Sequence, residues 1–273
     1  MEIALAAATS PRVPSGATVL VPVGSTEQHG PHLPLDTDTE IAVAVAEAAA
    51  KLLRRRRLSV VVAPAVGYGS SGEHQNFPGT VSIGTPVLRA VLVELVRSVR
   101  TWADRVVLVN GHGGNLAAVQ PAVDQLVAEG HDVAWVACAT APASNHGADL
   151  HAGRTETSLM LHLKPWEVRM DRAEVGNTAS LRELLPLMIE AGEPAWVWNL
   201  SSIGGVAVVQ SRIALSVRRI AHGVVGVDGR GGRVVHLRLG RRARHVLPHR
   251  RLQFFLQQHG LQGDRGRQRL LRQ

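Results

Sequence analysis

Cysteine is nearly absent from this chain. With Cys138 alone, no intramolecular disulfide can form, which fits a reducing, cytoplasmic setting. Also missing is any apolar run of roughly 18 residues, the length a membrane helix needs. The longest apolar helical pattern, IAVAVAEAAA, is broken by Glu47, so no membrane span is expected. The opening MEIALAAATSPRVP has no basic segment ahead of its apolar stretch, and no signal peptide is expected either. The tail lacks lysine and glutamate. Residues 201–273 hold 15 arginines against Asp228 and Asp264, a balance of +13, while residues 1–200 carry 20 acidic and 15 basic groups. The net charge of +8 is therefore a property of the tail, and the body is mildly acidic. That tail has no zinc-finger cysteines, and its only aromatics are the adjacent Phe254 and Phe255. Arginines alone give non-specific phosphate affinity, so nucleic-acid binding is not expected as the primary function.

What is present is enough apolar residue for a sizeable core: 45% hydrophobic over 273 residues suits one large α/β domain or two small ones. TVLVPV (18–23), LSVVVAPAV, RVVLVN and DVAWVACA read as short buried strands from their β-branched content. Between them lie the helical patterns DTEIAVAVAEAAAKLLRRRR, TPVLRAVLVELVRSVRTWA and LAAVQPAVDQLVAEG, and RTETSLMLHL follows, stopped before Pro165. Thr37 or Asp38 is the expected cap of the first helix, and arginines crowd its C-terminal end, where the helix dipole favours positive charge. Such alternation predicts an α/β fold with a mainly parallel sheet covered by helices on both faces. In such sheets ligands collect beyond the carboxyl ends of the strands. Four loops rich in His, Glu and Asp leave those ends, so they are expected to share one rim.

Glu27 and His29 are two apart and face the same way in an extended segment. Asp36 and Asp38 stand at the far end of the same loop, and His112 lies between glycines that allow close backbone approach. Glu156 opens a helix, with His151 five residues before it. Mixed imidazole and carboxylate groups suit zinc, manganese or iron(II), and a carboxylate bridging two such ions would help activate water for hydrolysis. Each feature alone has an ordinary reading. A His in a Gly-rich turn more often serves backbone hydrogen bonding, and TDTE more often caps a helix. Asp36 reads as an Asx-turn, Glu73–His74 as a polar loop, and His162 as packing or meeting solvent. Convergence on one rim shifts the balance towards a metal site, because burying these groups unpaired is costly.

GSTEQHGPHLPLDTD, GSSGEHQNFPGTVSIG, VNGHGGN and HAGRTETS occur in the order and spacing of the creatininase family of metal-dependent amidohydrolases. The resemblance covers residues 18–190 and rests on four separate blocks. It implies a three-layer α/β/α creatininase-like fold, two divalent ions (zinc, iron(II) or manganese) and a homo-oligomer. Carried over residue by residue, it implies Glu27 and His112 as ligands of one metal, His29 of the other, and Asp38 as the bridge. Creatininase itself has a glutamate two residues after the histidine that His112 matches; here that place is Gly114, which argues against creatinine as substrate. Glu156 matches the replacement ligand of members with GHGGN. His151 matches a proton shuttle to the leaving nitrogen, and Glu73 and His74 match a loop on the substrate side. The blocks are similar to a peptidase branch of the family. That branch hydrolyses a ribosomally made, radical-modified precursor peptide near its C-terminus and releases a modified Val–Tyr unit. A relative that removes formyl groups or opens rings on a small cofactor-pathway amide is the alternative. An inactive homologue with a basic binding tail is the second.

The resemblance gives residues 1–17 as an N-terminal extension and residues 18–200 as the hydrolase domain. From about Ala195 the motifs stop, and residues 201–273 form an atypical Arg-rich tail. Dense in Arg, Gly and Val, this tail has the composition of a high-GC gene read in a shifted frame, or of a disordered extension.

Overall fold

Four short, β-branched segments pair side by side in the computed structural model, which describes residues 4–138, 151–176, 224–225 and 235–236. β1 (Thr18–Val23) lies at the centre, with β2 (Val60–Val62) on one side and β3 (Arg105–Asn110) on the other; β4 (Val133–Ala137) follows β3. All three pairings are parallel, with Leu20 opposite Val62 and Val107. Alternation along the strands divides the core. Leu20, Val60, Val62, Val107, Val109 and Val136 face α1 (Thr37–Arg55) and α4 (Arg154–Leu163). Val19, Val21, Val23, Val61, Leu108 and Trp135 face α2 (Thr85–Val99) and α3 (Leu116–Ala128). The result is the expected three-layer α/β/α arrangement with a parallel sheet. Fully burying one such Val or Leu contributes about 1.5–3 kcal/mol.

Two local expectations change. β2 is only three residues long, because the chain turns away at Pro64 and touches the sheet again only as a single bridge between Val23 and Val66. Neither Thr37 nor Asp38 caps α1. The Thr37 hydroxyl donates back to the Pro34 carbonyl, and Asp38 turns inward. The helix ends where Arg57 takes a left-handed conformation, φ 61°. Residues 4–17 hold two short 3₁₀ turns, and Ala4 extends the sheet by one bridge to Val62 while Leu5 packs on the core. Within the Arg-rich tail, β5 (Val224–Val225) and β6 (Val235–His236) pair antiparallel. Of the loop 140–153 expected after β4, residues 140–150 lie outside the described residues. No helix among the described residues is long and apolar enough to cross a membrane.

The order β2-β1-β3-β4 places a topological switch between β1 and β3, where successive connections leave in opposite directions. Crevices at such switch points, beyond the strand carboxyl ends, are where ligands bind in open α/β sheets.

Candidate metal centre

The site grows from that crevice. The loop after β1 delivers Glu27 and His29, the first turn of α1 delivers Asp38, and the loop after β3 delivers His112. All four side chains are buried. Close approach of α1 to the strand ends requires glycine: a Cβ on Gly111 would lie 2.4 Å from the Asp38 carbonyl oxygen. Asp38 and Glu156 each sit in the first turn of a helix, where backbone N–H groups favour negative charge.

Asp38 is the hub. Its Oδ1 lies 3.2 Å from His29 Nε2 and its Oδ2 3.1 Å from His112 Nδ1, so one carboxylate faces two imidazoles. Ser25 Oγ donates to Oδ2 at 2.8 Å and fixes the plane. Each imidazole is oriented by a main-chain carbonyl on its other nitrogen. His29 Nδ1 donates to Glu27 O at 3.1 Å, and His112 Nε2 to Ser70 O at 3.1 Å. That leaves His29 Nε2 and His112 Nδ1 turned towards Asp38, the arrangement by which outer hydrogen bonds aim ligating histidines.

Glu27 is the anomaly. Its carboxylate is fully buried, and neither oxygen accepts a hydrogen bond. Its near neighbours are imidazole nitrogens: His112 Nε2 at 3.2 Å from Oε2, and His74 Nε2 and His151 Nδ1 both at 3.6 Å from Oε1. Burial pushes its pKa up to about 7, against the pull of His112. Burial pushes His29 and His112 down, but the carboxylates outweigh it. Asp38 holds His29 up at about 10, and Glu27 with Asp38 holds His112 up at about 9. Asp38, despite burial, is held well below the usual carboxylate range by His29 and His112. Imidazoles held towards their charged form by two buried carboxylates, one of them without a hydrogen bond, mark a pocket that favours a cation.

Among the described residues, three groups of side chains bring ligand atoms within 4.8 Å of one another: Glu27 with Asp38 and His112; His29 with His151 and Glu156; and Glu27 with His74 and His151. Every titratable residue weighed for the rim in the sequence belongs to at least one group, except Asp36, Glu73 and His162. Asp36 is half-buried at the helix entry and its carboxylate makes no capping hydrogen bond, so the Asx-turn is not formed as a cap. Glu73 stands at the rim, its side chain 22% exposed, with Oε1 3.7 Å from His112 Nε2. His74 is buried rather than lining an open wall, and its ring stacks on His151 with centroids 4.4 Å apart. Burial pushes His74 down to about 3 and His151 well below the ordinary imidazole range, with charged His112 and His29 adding to the respective effects. Glu156 reaches within 4.0 Å of His29 Nε2 and accepts from Ala152 N at 2.5 Å. His162 is exposed, and burial pushes the Cys138 thiol up, so it is no thiolate nucleophile.

Gly114 has a positive reason to lack a side chain. A Cβ there would sit 2.4 Å from both His112 Nε2 and Ser70 O, and 2.6 Å from Glu73 Oε1. The space a glutamate would need is already filled.

Sequence reasoning missed the scaffold. Asn115 accepts from Ser70 N at 2.9 Å and donates to Gly24 O at 2.9 Å, tying the loops after β1, β2 and β3 together. Asn110 donates to the His112 carbonyl at 2.7 Å. Gln28, buried between Glu27 and His29, touches both His74 and His151. His32 Nε2 meets Thr157 Oγ1 at 2.9 Å and holds α4 beside the β1–α1 loop. A polar residue next to a ligand was the available signal for Gln28, and the Asn closing GHGGN was the signal for Asn115.

Parallel sheet, switch-point crevice and carboxylate–imidazole groups able to hold a metal define an α/β protein with a candidate metal centre. Residues 6–214 match the family model of creatininase, creatinine amidohydrolase, and the chain belongs to that family. It is similar to the mycofactocin precursor peptide peptidase of Mycobacterium ulcerans, 49% identical over 221 residues, 79% of this chain and 85% of that protein. Among solved structures, a mutant creatininase of type II aligns over 81% of this chain and 96% of its own, with TM-score 0.64 and 25% identity. A mutant creatininase of the Zn-Zn type covers 75% of this chain and 88% of its own, with TM-score 0.59 and 25% identity.

Proposed function

We propose that this chain is a two-metal peptidase that hydrolyses a ribosomally made, modified precursor peptide near its C-terminus, releasing the modified Val–Tyr unit for mycofactocin formation. The observation that carries the metal part is Glu27, a buried carboxylate beside Asp38 and His112 whose oxygens accept no hydrogen bond. The donor set fits divalent zinc, iron(II) or manganese, which accept mixed carboxylate and imidazole ligands. Glu27, Asp38 and His112 would hold one ion, and His29, Asp38 and Glu156 the other. When bound, such a pair supplies electrophilic polarisation of the scissile carbonyl and a more acidic water.

The remaining chemistry belongs to the protein. Ser25 holds Asp38 in the plane that serves both pockets. His151 Nδ1, facing Glu27, takes up the proton released at attack and passes it to the departing amine. Glu73, at the rim, meets the peptide, and His74 supports His151 from behind. Crowding at Gly114 and the similarity to a precursor peptide peptidase both favour a peptide over creatinine. We read residues 18–200 as the catalytic unit of a cytoplasmic homo-oligomer and residues 201–273 as an Arg-rich extension outside it. Light scattering tests the assembly, and reading the nucleotide sequence for a frameshift near codons 195–205 tests the extension.

The function is tested by incubating the metal-loaded protein with the modified precursor peptide and, separately, with creatinine. Mass spectrometry is expected to show a C-terminal Val–Tyr fragment and no creatinine turnover. Rapid creatinine hydrolysis with an intact peptide would contradict the reading.

A further inference from the structure

We propose that Gln28 is a positioning residue that dictates which ring nitrogen carries the hydrogen on His74 and on His151. The inference rests on the reading of the site as a hydrolase centre, but it concerns hydrogen placement rather than turnover.

The argument starts from a donor that cannot be reassigned. The backbone N–H of Gly30 donates to Gln28 Oε1 at 2.9 Å. Which end of a glutamine amide is oxygen is settled by its partners, and a backbone N–H accepts only the oxygen. The amide nitrogen, Nε2, therefore points the other way, to His74 Nδ1 at 3.0 Å. An amide NH₂ only donates, so His74 Nδ1 must offer its lone pair, and the ring hydrogen sits on Nε2. That Nε2–H is aimed at Glu27 Oε1, 3.6 Å away.

His151 is set by the same residue through its main chain. Its Nε2 lies 2.7 Å from the Gln28 carbonyl oxygen. A carbonyl oxygen only accepts, so Nε2 of His151 carries the hydrogen, and the 3.1 Å approach of the Gln28 amide to that nitrogen is a contact, not a hydrogen bond. The free lone pair of His151 is then on Nδ1, the nitrogen 3.6 Å from Glu27 Oε1. One glutamine thus presents to the Glu27 side an N–H from His74 and a lone pair from His151. A proton acceptor is in place where the shuttle needs one.

The same logic removes one of the three candidate ion groups. For His74 to ligate through Nε2, its Nδ1 would have to carry the hydrogen and face the amide donor of Gln28. With Gly30 holding the amide, that arrangement sets two donors against each other. Glu27, His74 and His151 therefore form a cluster whose imidazoles are oriented by hydrogen bonds to Gln28, and not a third metal site.

The test uses the full-length, zinc-loaded protein with ¹⁵N-labelled histidine, because long-range proton–nitrogen correlation spectra report the tautomer of each ring. In the wild-type protein both His74 and His151 are expected with hydrogen on Nε2. Gln28→Glu replaces the donor facing His74 by an acceptor while leaving the main-chain carbonyl intact. His74 is expected to move its hydrogen to Nδ1, and His151 to stay as it was. Outer hydrogen-bond partners of such sites typically contribute about 10–100-fold, and kcat is expected to fall within that range with KM less affected. Hydrogen on Nδ1 of either ring in the wild-type protein overturns the proposal, whether or not the variant folds. So does a Gln28→Glu protein in which His74 keeps the wild-type tautomer. Correct tautomers in a protein that does not cleave the peptide would instead defeat the proposed function and leave this inference standing.

Discussion

The two pockets proposed on either side of Asp38 are built differently. Glu27, Asp38 and His112 come from the strand ends flanking the switch point and from the helix packed on them, and all three are buried. His29 is equally buried, but Glu156, its partner, is about one-fifth exposed and arrives on α4. That helix is attached to the first loop by the His32–Thr157 hydrogen bond and by packing on α1. The first pocket follows from the fold itself, whereas the second depends on where an outer helix is docked. Gly114 makes the same point from the other side. The loop that supplies His112 has no room for a second carboxylate, so the second pocket takes one from elsewhere.

Breaking the shared element should have the largest effect. Asp38→Ala is expected to empty both pockets and lower turnover by well over 100-fold, more than a typical outer-partner change. Asp36→Ala, by contrast, should bind both ions and remain near wild-type activity. Elemental analysis with kinetics checks both, and equal damage from Asp36→Ala would move the bridge.

His151→Ala separates proton transfer from ligation. Both ions should stay, while turnover falls about 10²–10⁴-fold, equivalent to roughly 3–5 kcal/mol at ~1.36 kcal/mol per decade. Loss of an ion in that variant would make His151 a ligand. Glu156→Ala sharpens the contrast between pockets: the buried pocket should keep its ion, the other should lose it, and added metal should partly restore rate.

Asn115→Leu should act on the scaffold. It leaves Ser70 N–H and the Gly24 carbonyl without their partner, at about 1–3 kcal/mol for each buried group. Denaturant unfolding measures this, and unchanged stability would show that the rim loops hold themselves.

The smallest effect is in pH. Without metal, His29 and His112 have folded-state pKa values raised to about 10 and about 9, so the stability they contribute is complete below the ordinary value of 6.5 and is lost as pH rises towards 9–10. Glu27, raised to about 7 from 4.5, likewise loses its contribution as pH rises, but between 4.5 and about 7. Asp38 has a lowered pKa, and its contribution is lost only in acid. Metal binding requires neutral imidazole and ionised carboxylate, so it reverses the trend. The melting temperature of the metal-free protein should therefore fall between pH 6.5 and 9, and the gap to the metal-loaded form should widen.

Much of this was legible in the sequence because it is local. β1, β3 and α4 follow from β-branched runs and from Pro165, and the rim follows from the rule on strand carboxyl ends. The residues that converge there were visible as His and carboxylates in four loops. The hydrogen bonds that aim them were not. Gln28 meets His151 across 123 positions and Asn115 meets Gly24 across 91, pairings that only the folded sheet creates. The cap of α1 failed for a related reason: Asp38 has the right chemistry for a helix entry, but the crevice has a stronger claim on its carboxylate. β2 came out shorter than its apolar run because Pro64 removes a ladder donor.

The central claim is a pair of ions on either side of the Asp38 carboxylate. Anomalous scattering from crystals of the metal-loaded protein tests it most directly. Two peaks are expected, one bounded by Glu27, Asp38 and His112 and the other by His29, Asp38 and Glu156. A single peak, or density held by His74 and His151 with Asp38 left uncoordinated, would contradict the account.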